Sequence, residues 1–199
     1  MLRSLNRILS SSIVATDGEI GSVYNFLVED VSWRVAYLVA ETGGWFSNHK
    51  VLLSPTVLKQ PDWARNVLPV SLTIEQVRSS PDVDTDQPVS RQQEITLNQF
   101  YGWPSYWEIP VEPRESLLTG DRHLRSCREL IGYHVTAGGE DLGKVEDFMI
   151  DDRSWKIRYF VTHGGVETGN HILMLPAESA REISWTYRHI ELNQAISSL

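Results

Sequence analysis

The clearest hydrophobic pattern in the chain is a strand-like alternation that occurs twice. Residues 33–39 place an apolar or aromatic side chain at every second position, and residues 155–161 repeat this pattern 122 positions later. A period of two predicts a β-strand with alternate side chains in a core. We therefore expect the odd-numbered positions of both segments, Tyr37 and Tyr159 among them, to face inwards.

The segments that precede these strands also read as β-strands, but less regularly. Residues 21–30 and 143–152 are rich in apolar residues, yet Val145 is out of phase with Phe148 and Ile150. One extra residue in a strand restores the phase and bends the sheet, so we predict a β-bulge here.

Turn and capping signals divide the rest of each half into short elements. Asp17-Gly18 favours a tight hairpin turn. Ser54-Pro55 predicts the start of a helical turn. Residues 73–76 have the form of a capping box. Short helical lead-ins are expected at residues 5–9 and 127–131. Each half is then five or six short strands with one or two helical turns.

The two halves are copies of one unit. Residues 2–63 align with residues 124–185 without a gap at an offset of 122, with 17 identities in 62 positions. Average composition would give about four. We predict an all-β chain of two tandem small β-barrels with short helical turns, because closure removes exposed sheet edges. The expected division is repeat 1 at 1–78, a linker at 79–120 and repeat 2 at 121–199.

The linker differs from the repeats in composition. Residues 79–120 carry two basic and seven acidic groups, a net charge of −5 within a chain of net charge −8. Residues 100–107 nevertheless hold five aromatic side chains, which a disordered linker does not usually contain. This segment either joins the two barrels or contacts a partner. The candidate interaction surface is Tyr101, Trp103, Tyr106 and Trp107.

Charge and cysteine content exclude several classes of protein. An acidic chain without a Lys/Arg-rich stripe lacks the phosphate-neutralising surface of a nucleic-acid binder. The single cysteine, Cys127, excludes an intrachain disulfide and aligns with the apolar Leu5, so we expect it to pack in a core. No apolar run approaches the ~18–20 residues that cross a bilayer, so membrane insertion is not expected. Residues 1–15 resemble a targeting peptide, but the alignment of residues 2–15 with residues 124–137 favours the first element of a folded domain. We expect a cytoplasmic protein.

Candidate ligand-binding residues are few. His49 and His171 occupy equivalent positions and are weak ligand candidates, but no second histidine or cysteine lies at a usual metal-ligand spacing from them. A hairpin could bring His163 towards His171, and this pair is at best a weak candidate for a zinc site.

The acidic residues of the second repeat offer no better site. The carboxylates of residues 146, 147, 151 and 152 suggest a calcium or acid–base site, yet Glu146 and Asp147 should point to opposite faces of a strand. Asp152 and its equivalent Asp30 fit a capped turn better. No catalytic constellation is present, and neither a metal nor a cofactor is predicted.

The duplicated pattern resembles a known domain. Gly21, Val23, Phe26, Val28, Asp30, Trp33, Val35, Tyr37 and Val39, with their equivalents in the second repeat, resemble the PRC-barrel domain. That domain occurs in the cytoplasmic part of the photosynthetic reaction centre H subunit and in the C-terminal half of the ribosome maturation factor RimM. The resemblance implies a small β-barrel used for protein interaction or assembly, with no catalytic residues to transfer.

The preferred hypothesis is a non-enzymatic protein-interaction or assembly module, with protein partners and a possible homodimer. One alternative is a small-ligand or metal-binding regulatory module that uses His49, His171 or the groove between the barrels. Another is an assembly factor linked to the ribosome or to RNA, which the acidic charge disfavours.

Overall fold

The computed structural model describes most of both repeats and part of the connection between them. The described residues are 1–9, 11–43, 49–80, 91–104, 124–164 and 171–193, and of residues 91–95 only the backbone is described.

Both repeats consist mainly of strands. The first repeat contains β1 (Leu2–Ser4), α1 (Leu5–Ile8), β2 (Ser12–Val14), β3 (Glu19–Glu29), β4 (Val35–Thr42), β5 (Lys50–Leu53), a 3-10 helix (Pro55–Val57), β6 (Val67–Pro69) and α2 (Ile74–Arg78). The connection contributes α3 (Arg91–Tyr101). The second repeat contains β7 (Leu124–Ser126), α4 (Cys127–Leu130), β8 (His134–Ala137), β9 (Glu140–Asp151), β10 (Lys156–His163), β11 (Ile172–Pro176), a 3-10 helix (Ala177–Ser179), β12 (Ala180–Ser184) and β13 (His189–Leu192).

The strands form two sheets, one built mainly from each repeat, with equivalent strand orders. The first has the order β5-β4-β3-β2-β6, and the second has the order β11-β10-β9-β8-β13-β12. In each sheet one pair is parallel, β2 with β6 and β8 with β13. The all-β prediction is confirmed. Among the described strands no ladder joins the two ends of either sheet, so closure into a barrel is not detected.

The predicted helix starts are confirmed by their caps. The Ser4 hydroxyl accepts from the Arg7 N–H at the start of α1, and Ser54 caps the 3-10 helix that begins at Pro55. Thr73 and Gln76 form the complete capping box of α2. Each cap satisfies backbone donors that the first helical turn leaves without partners.

The β-bulge predicted near Val145 is confirmed in both repeats. Residue 146 of β9 and the equivalent residue 24 of β3 have no partner in the register with the adjacent strand. A second register shift, not predicted, falls at residue 36 of β4 and at residue 158 of β10.

This second bulge reverses the expected orientation of the most regular strands. The core contains Val35, Leu38 and Ala40 of β4, whereas Tyr37 and Val39 face the opposite side of the sheet. The prediction that Tyr37 and Val39 lie in the same core as Val35 is therefore wrong. The alternation in the sequence is real, but one inserted residue exchanges the two faces from that point onwards.

The first strand of each repeat pairs with the sheet of the other repeat. β1 lies antiparallel to β9, with Arg3 opposite Ile150. Reciprocally, β7 lies antiparallel to β3, with Arg125 opposite Val28. The residues that pair are related by the same offset of 122, so the exchange is symmetric.

Ion pairs and polar contacts reinforce this exchange at equivalent positions. Arg3 Nε lies 3.3 Å from Asp152 Oδ2, and Arg125 Nε lies 3.1 Å from Asp30 Oδ2. The Asn25 side-chain amide donates to Ser126 Oγ at 2.8 Å, where the second repeat has Asp147 accepting from Ser4.

The turns that contain Trp33 and Trp155 also contact each other across the boundary between the two repeats. Trp33 and Trp155 have φ values of 58° and 50°, which place both in the left-handed region. The Val35 N–H donates to the Trp155 carbonyl, and the Ile157 N–H donates to the Trp33 carbonyl, both at 2.8 Å. These two bonds satisfy backbone groups that a buried turn would otherwise leave without partners.

Each tryptophan side chain then packs into the other repeat. Trp33, 1% exposed, makes an edge contact with Phe160, with ring centroids 4.8 Å apart. Trp155 stacks on Phe26 at 6.0 Å. The buried residues of both sheets consequently belong to one continuous hydrophobic cluster.

We expect Trp33→Ala to lower the free energy of unfolding by about 3–5 kcal/mol, the usual cost of truncating a buried aromatic side chain. Both sheets should unfold in one transition because they share a core. Urea unfolding monitored by near- and far-UV circular dichroism measures both effects.

Trp185→Ala is the matched control for this variant, since Trp185 is 51% exposed. It should change the unfolding free energy by at most about 0.5 kcal/mol. Two separate transitions in the wild-type chain would contradict the shared core.

Candidate interaction surface

Helix α3 covers the outer face of the first sheet. Leu97, 1% exposed, packs in a second cluster with Tyr37, Val39 and Leu52. The Tyr37 hydroxyl donates to Asn98 Oδ1 at 3.2 Å, which satisfies a polar group that the helix buries. The first sheet is thus apolar on both faces, and this explains why nearly every residue of β4 is buried.

The described part of the predicted aromatic surface contacts this helix-covered face. Tyr101 and Trp103 stack with ring centroids 4.0 Å apart and an interplanar angle of 6°. Both are half-buried and pack against the two hydrophobic clusters. The Tyr101 hydroxyl donates to the Gln76 carbonyl at 3.2 Å, so the segment is also connected to α2.

Burial and hydrogen bonding shift the pKa of Tyr101 in opposite directions. Burial raises the pKa of the Tyr101 phenol, and a hydrogen bond with Ser80 partly offsets this. The phenol therefore acts as a neutral donor at physiological pH. Phe100, the preceding residue, is 46% exposed and makes an edge contact with Tyr101.

These contacts show what the described half of the aromatic segment does inside the chain. Tyr101 and Trp103 fix the end of α3 to the first sheet. Tyr106 and Trp107 lie outside the described residues. The aromatic residues 101, 103, 106 and 107 therefore remain a predicted interaction surface. Within it, Tyr101 and Trp103 are stacked and half-buried.

The two candidate histidines lie at equivalent but separate places. His49 is exposed, and its carbonyl accepts from both the N–H and the hydroxyl of Thr42. It lines a small pocket whose other walls include Ile20, Val51 and Val77. His171 is exposed immediately before β11. Small-ligand binding at either histidine remains a prediction.

The structure does not bring the histidines into a metal-binding arrangement. His163 Nδ1 lies 3.1 Å from Glu146 Oε1, so its described polar contact is with Glu146 rather than His171. Among the described residues no group of three or more His, Cys, Asp or Glu side chains could hold a metal ion.

The carboxylates of the second repeat accept hydrogen bonds, some within turns and some from the exchanged N-terminal segment. Asp151 Oδ1 accepts from the Arg153 N–H, and Asp151 Oδ2 accepts from the Ser154 hydroxyl. The backbone hydrogen bond from Arg153 is the main reason why the pKa of Asp151 is lowered. Asp147 accepts from the N–H groups of Asn6 and Phe148.

Asp152 accepts hydrogen bonds from three donors, all of which belong to the first repeat. Burial acts to raise its pKa, but hydrogen bonds from the Met1 amine, Arg3 and Trp63 outweigh burial, so that the pKa of Asp152 is lowered overall. The Trp63 indole N–H donates to Asp152 Oδ2 at 3.0 Å. Asp152 is therefore a structural anion at the junction of the repeats.

Cys127 lies in the core, as its alignment with Leu5 predicts. It is the first residue of α4 and is fully buried, and burial raises the pKa of its thiol. A thiol in that state is not a nucleophile at physiological pH.

One exposed apolar surface is not predicted by the pattern of the sequence. On the second sheet the positions equivalent to the α3-covered face include Tyr159, Val161 and Met174, and Met174 is 49% exposed. No described hydrophobic cluster contains them. The available signal was Arg158, a charged residue at the position of the buried Ala36.

The comparison with known families assigns the second half of the chain. Residues 123–194 match the PRC-barrel domain. The second repeat is therefore similar to a PRC-barrel domain. This agrees with the two-sheet, strand-rich fold and with the resemblance in the sequence. The match does not include the first repeat. No curated protein matches the chain.

PRC-barrel domains suggest a general role in protein interaction or assembly. Within the described part of the chain, no helix is both long enough and apolar enough to span a membrane.

We expect Asp152→Asn to lower the unfolding free energy by about 2–3 kcal/mol at pH 7, because hydrogen bonds to a charged group are lost or weakened. The folded-state pKa of Asp152 is lowered. Its stabilising effect is thus complete above the unfolded value of about 3.9 and disappears as the pH falls through the folded value. Chemical unfolding at several pH values should show the two proteins converging in acid.

Asp62→Asn provides the control for this pH dependence. Asp62 is 45% exposed and lies 3.8 Å from Arg65. An exposed pair of this kind contributes at most about 1 kcal/mol. An Asp152→Asn difference that stays constant down to pH 2 would contradict the assignment.

We expect Leu97→Ala to loosen α3 from the first sheet, at a cost of about 2–4 kcal/mol for the buried side chain. Amide hydrogen exchange should accelerate in residues 96–104 while β3 remains protected. Phe100→Ala removes a side chain that is 46% exposed and should leave the exchange rates nearly unchanged. Equal acceleration in both variants would show that Leu97 is not the anchor.

Proposed function

We propose that the chain is a non-catalytic, cytoplasmic protein-interaction or assembly module. In this proposal two repeats, residues 1–78 and 121–199, form one scaffold, and residues 79–120 connect them. The PRC-barrel match of the second repeat supports the general class. The first repeat is proposed to be a second PRC-barrel, on the strength of its alignment with the matched copy.

The observation that carries the proposal is the exposure of large apolar side chains on a scaffold that is otherwise well packed. Trp185 and Tyr187, in the turn between β12 and β13, are 51% and 81% exposed. The equivalent of Trp185 in the first repeat is Trp63, which is partly buried and donates to Asp152. Aromatic side chains exposed in this way are typical of interaction sites, where they contribute large contact areas.

The rigidity of the scaffold supports the same function. The shared core and the exchanged strands fix the relative orientation of the two sheets. Surfaces on both repeats are therefore held in a constant arrangement, which lowers the entropic cost of binding a partner. A partner of low charge density, or one with basic groups facing the acidic linker, is favoured by the net charge of −8.

The proposal is tested by quantitative affinity capture with the tagged full chain and a Trp185→Ser/Tyr187→Ser variant. We expect a reproducible set of proteins to be retained by the wild type and reduced at least about fivefold by the variant, the effect of losing ~1 kcal/mol or more of interface energy. Light scattering on both proteins shows whether a second copy of the chain is one of the partners.

The matched control is Lys59→Ser, a substitution at another exposed position. It should leave capture unchanged, and both variants should unfold at the wild-type urea concentration. A wild-type chain that retains nothing beyond the tag, or a variant that retains the same set, would contradict the proposal at this surface.

A further inference from the structure

We propose that the outer face of the second sheet is a docking site for an amphipathic helix of a partner protein, with a carboxylate placed to meet Arg158. This inference rests on the proposed interaction function and specifies the partner's chemistry. It follows from a comparison of the two repeats.

The first repeat shows what covers this face. Its outer surface is occupied by α3, whose Leu97 is buried against Tyr37 and Val39. In the second sheet the residues equivalent to Leu27, Ala36, Tyr37, Val39 and Leu52 are Met149, Arg158, Tyr159, Val161 and Met174. We refer to these five residues of the second repeat as the outer face. Four of the five remain apolar or aromatic.

The strand register places these side chains together. Tyr159 is opposite Met149 on β9, and Val161 is opposite Met174 on β11. Met174 is 49% exposed, and Ile172, farther along β11, is 67% exposed. In the first repeat Lys50 occupies the position of Ile172. A charged group at the rim has thus been replaced by an apolar one, which extends the apolar surface.

Charge complementarity indicates which helix fits. Ala36 lines a pocket together with Asn98 and Pro104, so it lies near the C-terminal half of α3 and the residues that follow. Arg158 takes the place of Ala36, and would meet the same end of a helix docked in the same way. Helix C-termini carry partial negative charge and favour cations.

The neighbouring carboxylates Asp147 and Glu146 have partners within the chain. Asp147 accepts from Ser4 and from the Asn6 N–H, and Glu146 contacts His163. The Arg158 side chain is 43% exposed and lies 3.9 Å from Asp151, the limit of an ion pair. Arg158 is therefore the charge best placed to receive a carboxylate from a partner.

The position of that carboxylate follows from the first repeat. Asn98 accepts from the Tyr37 hydroxyl at 3.2 Å. An aspartate at the position of Asn98 in a docked helix could accept from the Tyr159 hydroxyl and lie close to Arg158. A partner helix with a leucine one residue before this aspartate would reproduce the Leu97 contact.

The probe is a synthetic peptide that copies residues 91–104, in its native form and with Asn98→Asp. Each is titrated into the ¹⁵N-labelled full chain, whose own α3 occupies the first face. We expect saturable amide shifts at Met149, Tyr159, Val161 and Met174, and tighter binding of the Asn98→Asp peptide by about threefold or more, as for a partly exposed ion pair.

Three variants make the test specific. Val161→Lys places a charge in the middle of the outer face and should abolish the shifts. Tyr187→Lys, at a side chain that is 81% exposed and belongs to another surface, should not. Arg158→Ala restores the residue type of the first repeat and should remove the advantage of the Asn98→Asp peptide.

Other results would overturn the inference. These are the absence of saturable shifts, shifts confined to β11 as expected for an added strand, or a wild-type dimer that Val161→Lys converts to a monomer. The last result would identify a second copy of the chain as the occupant. Affinity capture that depends on Trp185 and Tyr187 would still support the general interaction function, so the two proposals can fail separately.

Discussion

The structure depends on the reciprocal insertion of one tryptophan from each repeat into the other. Trp33 contacts Phe160, and Trp155 contacts Phe26, while the two turns exchange backbone hydrogen bonds of 2.8 Å. Repeats of roughly 75–80 residues have small cores when they stand alone. Shared tryptophans and exchanged strands convert two small cores into one, so we infer that neither repeat is stable without the other.

In this arrangement the faces of the two sheets that meet at the junction are similar, whereas their outer faces differ. The residues at the junction must remain similar in both copies, because each contributes the same contact to its counterpart, as Arg3 and Arg125 do with Asp152 and Asp30. The outer faces have no such constraint. One of them is covered by α3, and the other contains Arg158 in the place of Ala36. Duplication thus supplies a scaffold on which one face could change its ligand without loss of the core.

The sequence predicted most of the strands, the caps and the first bulge, because these follow from local patterns, but it did not predict β12 at residues 180–184. It did not predict that Tyr37 and Val39 face away from Val35, since the second bulge at residue 36 depends on the register with β3 and leaves no signal in the alternation. Nor did it identify residues 2–4 and 124–126 as strands. These segments are short, and their pairing partners lie in the other repeat. Of the aromatic segment, the sequence predicted docking, but the face that Tyr101 and Trp103 contact required the structure.

The same bulge determines the candidate interaction surface. Had the alternation continued without interruption, Tyr159 and Val161 would lie in the core, and Phe160 and Thr162 would face outwards. One extra residue instead places an aromatic and a β-branched side chain outside, at the cost of apolar surface in contact with water. In the first repeat α3 covers the face and removes this apolar surface from water. In the second repeat no described part of the chain does so, and binding of a complementary helix would bury the exposed apolar surface. Association would therefore be favoured by the same burial that stabilises α3 on the first sheet.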